Sequence, residues 1–81
     1  MAVRHELKTV NPWFTDVLEG RKNFEIRKND RGFEVGDLLI LREWTGNNYT
    51  SRRVEKIVSY ILRGEDFPEG VKPGYVVLGF M

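Results

Sequence analysis

Cysteine is absent from this chain, and histidine occurs once, at His5. Without a thiol there is no cysteine nucleophile, disulfide, thiolate zinc site or iron–sulfur cluster. A single imidazole supplies neither a multi-histidine metal centre nor an H-x-x-x-H pair on one helix face. Also missing are G-x-S-x-G, G-x-x-x-x-G-K-[ST] and G-x-G-x-x-G, which removes the usual hydrolase elbow and the phosphate-cradling glycine loops. No apolar run approaches the ~18 residues that a membrane helix needs. The opening Met1-Ala2-Val3-Arg4-His5-Glu6 has no signal-peptide hydrophobic region. The expectation is a soluble, cytoplasmic protein with no metal, no cofactor and no membrane partner; lack of cysteine is compatible with a reducing compartment.

What is present is an ordinary globular balance. The 81 residues carry 13 Lys+Arg against 12 Asp+Glu, with 41% hydrophobic and 12% aromatic residues, a net charge of +1. Neither a disordered nor a membrane composition looks like this. The length predicts a single domain over residues 1–81. A chain of this size buries roughly 60–65% of its unfolded surface and nets on the order of 4–12 kcal/mol of stability. With no disulfide to help, apolar packing must supply that margin.

Residues 3–10 alternate, with Val3, His5, Leu7 and Thr9 on one parity and Arg4, Glu6 and Lys8 on the other. Period 2 over this length predicts a half-buried strand. Asn11-Pro12 reads as a helix N-cap followed by proline at the first helical position. Trp13, Phe14, Val17 and Leu18 then form one apolar helical stripe, and Gly20 supplies the stop. A helix of about two turns does not survive alone, so the stripe is expected to pack on a sheet. Asn23 to Lys28 alternates again, with Phe24 and Ile26 opposite Asn23, Glu25 and Arg27. Leu38 to Leu41 is apolar on both parities, the pattern of a strand covered on both faces. Thr45-Gly46-Asn47-Asn48 reads as a hairpin connection. Arg52 to Leu62 reads as a long strand, residues 63–74 as a loop rich in Gly, Pro and acids, and Tyr75 to Phe80 as a last strand. The order β-α-β-β-β-β, with short strands and glycine-rich turns, predicts an α+β, mainly β fold closed into a small barrel or pseudobarrel. Closure would remove the exposed strand edges.

The charge is unevenly spread. Arg21 to Arg31 holds five bases against two acids, and Arg52 to Lys56 three bases against one acid. Brought together, the two segments would make a basic patch suited to phosphates; the alternative is a solvated surface with internal ion pairs. Within the first segment Glu25 and Arg27 lie two apart on a strand and so share a face, with Lys22 at the helix-to-strand junction. An ammonium, a carboxylate and a guanidinium in one small region can grip a polar planar ligand. The carboxylate accepts from an amine edge, and the cations hold carbonyl or phosphate oxygens. A Glu–Arg pair that merely orients the strand accounts for the same spacing. A carboxylate between two cations stays ionised, which argues against general-acid work by Glu25 unless it is buried.

The pattern G-x-K-x-x-E-x-R, formed by Gly20, Lys22, Glu25 and Arg27, resembles the signature of the ASCH (activating-signal-cointegrator homology) family of the PUA-like superfamily. The resemblance extends to His5-Glu6-Leu7-Lys8, the short helix, Val35-Gly36-Asp37 before an apolar strand, and the closing Gly74-Tyr75-Val76-Val77-Leu78-Gly79. It covers nearly the whole chain and is to the small single-domain bacterial and phage members. It implies a PUA-like β-barrel with the helix beside a cleft, and RNA or a modified nucleoside as the partner. One branch of the family is similar to amidohydrolases that deacetylate N4-acetylcytidine with a lysine, a threonine and a glutamate. Lys22 matches that lysine, but the threonine position falls on Glu25, so the scheme lacks its hydroxyl here.

The ligand-binding residues expected on this basis are His5, Lys8, Lys22, Glu25, Arg27, Arg52 and Arg53, with Lys56 adding backbone affinity. Lys22 and Glu25 would be the catalytic pair of an enzyme. His5 shares the parity of Val3 and Leu7 and reads more readily as a core or cleft-wall histidine than as a proton shuttle. Lys8 is either a cleft-rim or a solvated lysine. Trp13 and Phe14 read as core, with Trp13 able to edge the cleft. Trp44 and Tyr49 read as a cross-strand pair, with base stacking the alternative. Two other functions stay open: the nucleoside amidohydrolase, and a protein-interaction module in which the motif is structural.

Overall fold

Leu39, Ile40 and Leu41 are all buried, as a run apolar on both parities demands of a central strand. They belong to the third of five strands in a computed structural model that describes residues 2–81; Met1, the first residue of the opening segment, lies outside the described residues. The elements are β1 (Arg4–Thr9), α1 (Trp13–Leu18), β2 (Phe24–Lys28), β3 (Leu38–Trp44), β4 (Tyr49–Arg63) and β5 (Tyr75–Phe80). The fold is thus α+β, mainly β, with one short helix after the first strand.

The strands form one sheet in the order β1-β3-β4-β5-β2. β1 runs parallel to β3, and every other neighbour is antiparallel. β4 carries both halves of the sheet: its first part pairs with β3 up to Ile57, and its second part pairs with β5 from Val58 onward. A register shift between Val58 and Tyr60 lies at the changeover, and irregularities of this kind bend a strand and sharpen its twist. Leu7, Val17, Phe33, Leu39, Leu41, Val58, Val76, Leu78 and Phe80 form the core between the halves. Each such side chain contributes about 1.5–3 kcal/mol by leaving water.

The sheet is open. Among the described residues no ladder joins β1 to β2, so the closed barrel expected from the strand count does not form through backbone pairing. A side chain spans the seam instead: Arg27 Nη2 on β2 donates to the Lys8 carbonyl on β1 at 2.9 Å. Arg31 Nη1 donates to the Glu6 carbonyl, also at 2.9 Å. Glu6 and Lys8 are two apart, so their carbonyls point to the same side of β1, and the arginines occupy acceptors that a sixth strand would have used.

Local expectations meet mixed outcomes. The helix starts at Trp13, one residue after the expected position, with Pro12 as its N-cap residue. Asn11 still caps it, because Asn11 Oδ1 accepts from the Thr15 N–H at 3.0 Å. Gly20 takes φ +82° at the stop, a left-handed conformation that glycine adopts without strain. Only half of the apolar stripe is covered: Phe14 and Val17 are buried, whereas Trp13 and Leu18 are exposed, because a single turn and a half presents too narrow a face to the sheet. β4 begins at Tyr49 rather than Arg52, since the Thr45–Asn48 turn returns the chain directly onto β3. The two basic segments belong to different strand pairs of the sheet. Arg52 and Arg53 lie on the part of β4 that pairs with β3, while Arg21 to Arg31 flank β2, paired with β5. No helix among the described residues is long and apolar enough to cross a membrane.

Candidate functional site

β2 is amphipathic in the reverse of the usual sense. Phe24 and Ile26 face outward, while Glu25 is buried at 4% exposure and Arg27 is half-buried. A carboxylate in that position needs compensation, and it has it from both sides. Arg27 donates to Glu25 Oε1 through Nη2 at 2.9 Å and Nε at 3.2 Å. Lys22 Nζ is paired with Glu25 Oε2 and also donates to the Phe24 carbonyl at 2.6 Å. The three motif side chains therefore meet, and Gly20 permits the tight turn that brings Lys22 back over the strand.

A cleft of about 610 Å³ opens beside them, within the ordinary range for small-molecule sites. Lys22, Glu25 and Arg27 supply its charged wall, Lys8 and Thr9 its β1 side, and Val10, Trp13, Phe24 and Ile26 its apolar surfaces. Trp13 is 52% exposed and Phe24 43%. Thr9 was not singled out from the sequence, yet it is buried against the cleft with its hydroxyl accepting from Arg27 Nη2 at 3.3 Å. Its parity with Leu7 was the available signal.

Counting donors shows what the wall can still do. Glu25 Oε1 accepts twice and Oε2 once, which leaves a single acceptor position on the carboxylate. Lys22 has spent two of its three N–H donors. Arg27 has engaged Nε and Nη2, and among the described residues no protein acceptor meets Nη1. The cleft is thus richer in unspent donors than in acceptors. It suits carbonyl or phosphate oxygens, and Glu25 acts chiefly as the group that positions the two cations.

The remaining expected residues lie elsewhere. His5 is no wall of the cleft: its Nε2 sits 2.8 Å from Asp37 Oδ2, both side chains are buried, and its ring packs against Phe33 at 4.6 Å. Burial pushes the Asp37 carboxyl up, but hydrogen bonds from His5, the Val3 N–H and the Glu34 N–H together outweigh it, so the group ends below its usual range. The pair fixes the turn before β3, which accounts for His5 without a ligand. Arg52 is committed to Glu43 through Nε at 3.0 Å and Nη2 at 2.9 Å, and its guanidinium lies over the Phe14 ring. Hydrogen bonds from Arg52 first, then Thr50 and Asn11, hold Glu43 down to about 2. This cluster ties the helix N-terminus to β3 and β4. Arg53 pairs with Glu55 at 3.3 Å on the exposed sheet surface, and Lys56 lies near the Phe80 ring. Lys8 alone of the non-motif basic candidates lines the cleft, but its ammonium lies 4.2 Å from the centre of the ring of Trp44, a residue outside the cleft lining. Trp44 and Tyr49 form the expected cross-strand pair, with their rings edge to face at 4.9 Å.

Fold and site together define a small, mainly β protein whose open sheet carries a cationic, aromatic-rimmed cleft along its seam. The chain belongs to the family described as a domain of unknown function (DUF3850), which matches residues 4–80. It is also 40% identical over 79 residues to the "Uncharacterized 12.9 kDa protein in GpA 3'region" of Escherichia phage P2, a match that spans 98% of this chain and 72% of that protein.

Proposed function

We propose that the cleft binds RNA or a modified nucleoside, with the base between Trp13 and Phe24 and its carbonyl oxygens on Lys22 and Arg27. The observation that carries this reading is the set of N–H donors that Lys22 and Arg27 leave without a protein acceptor among the described residues, in a cleft also lined by the exposed rings of Trp13 and Phe24. Aromatic faces stack on any base, and a fixed guanidinium fork selects oxygen acceptors. The resemblance of Gly20, Lys22, Glu25 and Arg27 to the ASCH signature points the same way. Glu25 keeps one acceptor position for an amine edge, and Lys8 rims the site.

The amidohydrolase alternative has less support. Glu25 stands where the amidohydrolases that the motif resembles would carry a threonine, and Thr9, the hydroxyl in the cleft, contacts a guanidinium and so has no base in that partner.

Titration with single-stranded and structured RNA and with a nucleoside panel, followed by tryptophan fluorescence at two salt concentrations, tests the reading. Binding should weaken about tenfold or more in Arg27→Ala and in Trp13→Ala, and weaken further with salt when RNA is the ligand. Wild-type affinity in both variants, or no binding at low salt, overturns it.

A further inference from the structure

Arg27 is a wall of two cavities. Beyond the cleft, on its other side, lies a second hollow of about 170 Å³ lined by Leu7, Arg27, Lys28, Asp30, Arg31 and Phe33. We propose that this hollow is a phosphate subsite, so that the ligand is a nucleotide unit carrying a phosphate ester on its sugar, either a free mononucleotide or one residue of an RNA chain. The proposal rests on the reading of the cleft as a base site.

Three cations and one carboxylate meet there, and the way the guanidinium groups are held matters most. Arg31 Nη1 and Arg27 Nη2 each donate to a main-chain carbonyl of β1, at Glu6 and at Lys8. Those acceptors are two residues apart on one strand, a rise of about 6.6 Å. The neutral Glu6 carbonyl orients the Arg31 guanidinium without cancelling its charge, whereas the Arg27 guanidinium is also paired with the Glu25 carboxylate. Among the described residues Arg31 and Lys28 make no ion pair with any carboxylate, in contrast to Arg52, which Glu43 neutralises. Arg31 keeps Nε and Nη2 for a ligand and Arg27 keeps Nη1. Phe33, 2% exposed, and Leu7, 3% exposed, give the hollow an apolar floor, and a low-dielectric floor strengthens the pull of these charges on an anion.

Size divides the two cavities by role. The larger suits a ring and sugar, the smaller a compact tetrahedral anion, and Arg27 between them can contact both parts of one molecule. The Nε–Nη2 fork that Arg31 keeps matches phosphate geometry, and Arg27 adds Nη1 beside it.

The experiment compares the four ribonucleosides, their 3′- and 5′-monophosphates, a pyrimidine dinucleotide and inorganic phosphate on the full chain, with Arg31→Gln, Lys28→Gln and Trp13→Ala beside the wild type. Circular dichroism checks that each variant folds. At low salt a phosphate-bearing ligand should bind about tenfold tighter than its nucleoside. Arg31→Gln should abolish that advantage and leave nucleoside affinity unchanged. A gain already present in a monophosphate assigns the site to free nucleotides, and a gain that needs the dinucleotide assigns it to RNA. Equal binding of nucleoside and nucleotide, or an advantage that survives both Arg31→Gln and Lys28→Gln, overturns the subsite and leaves the base site standing. Nucleotide binding indifferent to Trp13→Ala, or inorganic phosphate binding with no nucleoside binding, overturns the base site and with it the nucleotide assignment.

Discussion

The Arg27 guanidinium on β2 and the Lys8 carbonyl on β1 meet at 2.9 Å across a sheet whose end strands form no ladder with each other. The same guanidinium holds the buried carboxylate of Glu25. One side chain thus links the seam of the fold to the wall of the cleft.

Arg27→Ala should therefore cost stability as well as binding. It leaves Glu25 buried with Lys22 as its remaining cation, a loss of about 2–3 kcal/mol by analogy with broken buried pairs. Arg27→Lys should recover little of it, because one ammonium cannot reproduce the fork that reaches Glu25 and Lys8 together. Urea denaturation of the three proteins decides this; a cost below about 0.5 kcal/mol for Arg27→Ala would mean that the seam contact is ornamental.

Trp13→Ala separates the two roles. Its ring is half exposed and outside the core cluster, so the variant should unfold within about 0.5 kcal/mol of the wild type. Nucleoside or RNA affinity should nonetheless drop about tenfold if the ring stacks on a base. A marked loss of stability would place Trp13 in the packing instead.

Phe14→Ala is the opposite case. The ring is fully buried and also carries the Arg52 guanidinium on one face. Truncation should cost about 3–5 kcal/mol, a large share of what a chain of this length possesses. Thermal unfolding followed by circular dichroism should show a lower, broader transition or none.

Acid should weaken the fold through Glu43 and Asp37. Both carboxyls release their protons more readily when folded than when unfolded, Glu43 down to about 2 because Arg52, Thr50 and Asn11 donate to it, and Asp37 because His5 and two backbone N–H groups outweigh its burial. The unfolded chain takes up protons first as pH falls, so stability is complete above the ordinary carboxyl range and declines below about 4.5, towards 2. Glu43→Gln should flatten that decline in denaturation curves taken across the acid range. An unchanged slope would show that Glu43 is not a source of the pH dependence.

Much of the architecture was legible locally. Alternation marked β1 and β2, the doubly apolar run marked β3, and Gly20 and Gly46 marked turns that need a positive φ. The motif spacing placed Lys22, Glu25 and Arg27 together because i and i+2 on a strand must share a face. What alternation does not specify is which face is inside. Phe24 and Ile26 have the more apolar parity, yet Glu25 is the buried residue, because β2 ends the sheet and its inner side meets Lys22 and β1. The partners of His5 and Arg52 were equally invisible: Asp37 and Glu43 lie 32 and 9 residues away along the chain, and no local pattern pairs them. Openness of the sheet also escaped the strand count, since it depends on whether two distant edges reach each other.

The arginine-capped margin of β1 bears on how the molecule behaves at high concentration. Two of the carbonyls that a stray strand from another copy would zip onto are already engaged, so this border offers a poor template for sheet extension. Removing Arg27 or Arg31 uncovers them. The substitutions best suited to probing ligand contacts are therefore also the ones that invite self-association, and sedimentation of each variant belongs alongside its titration.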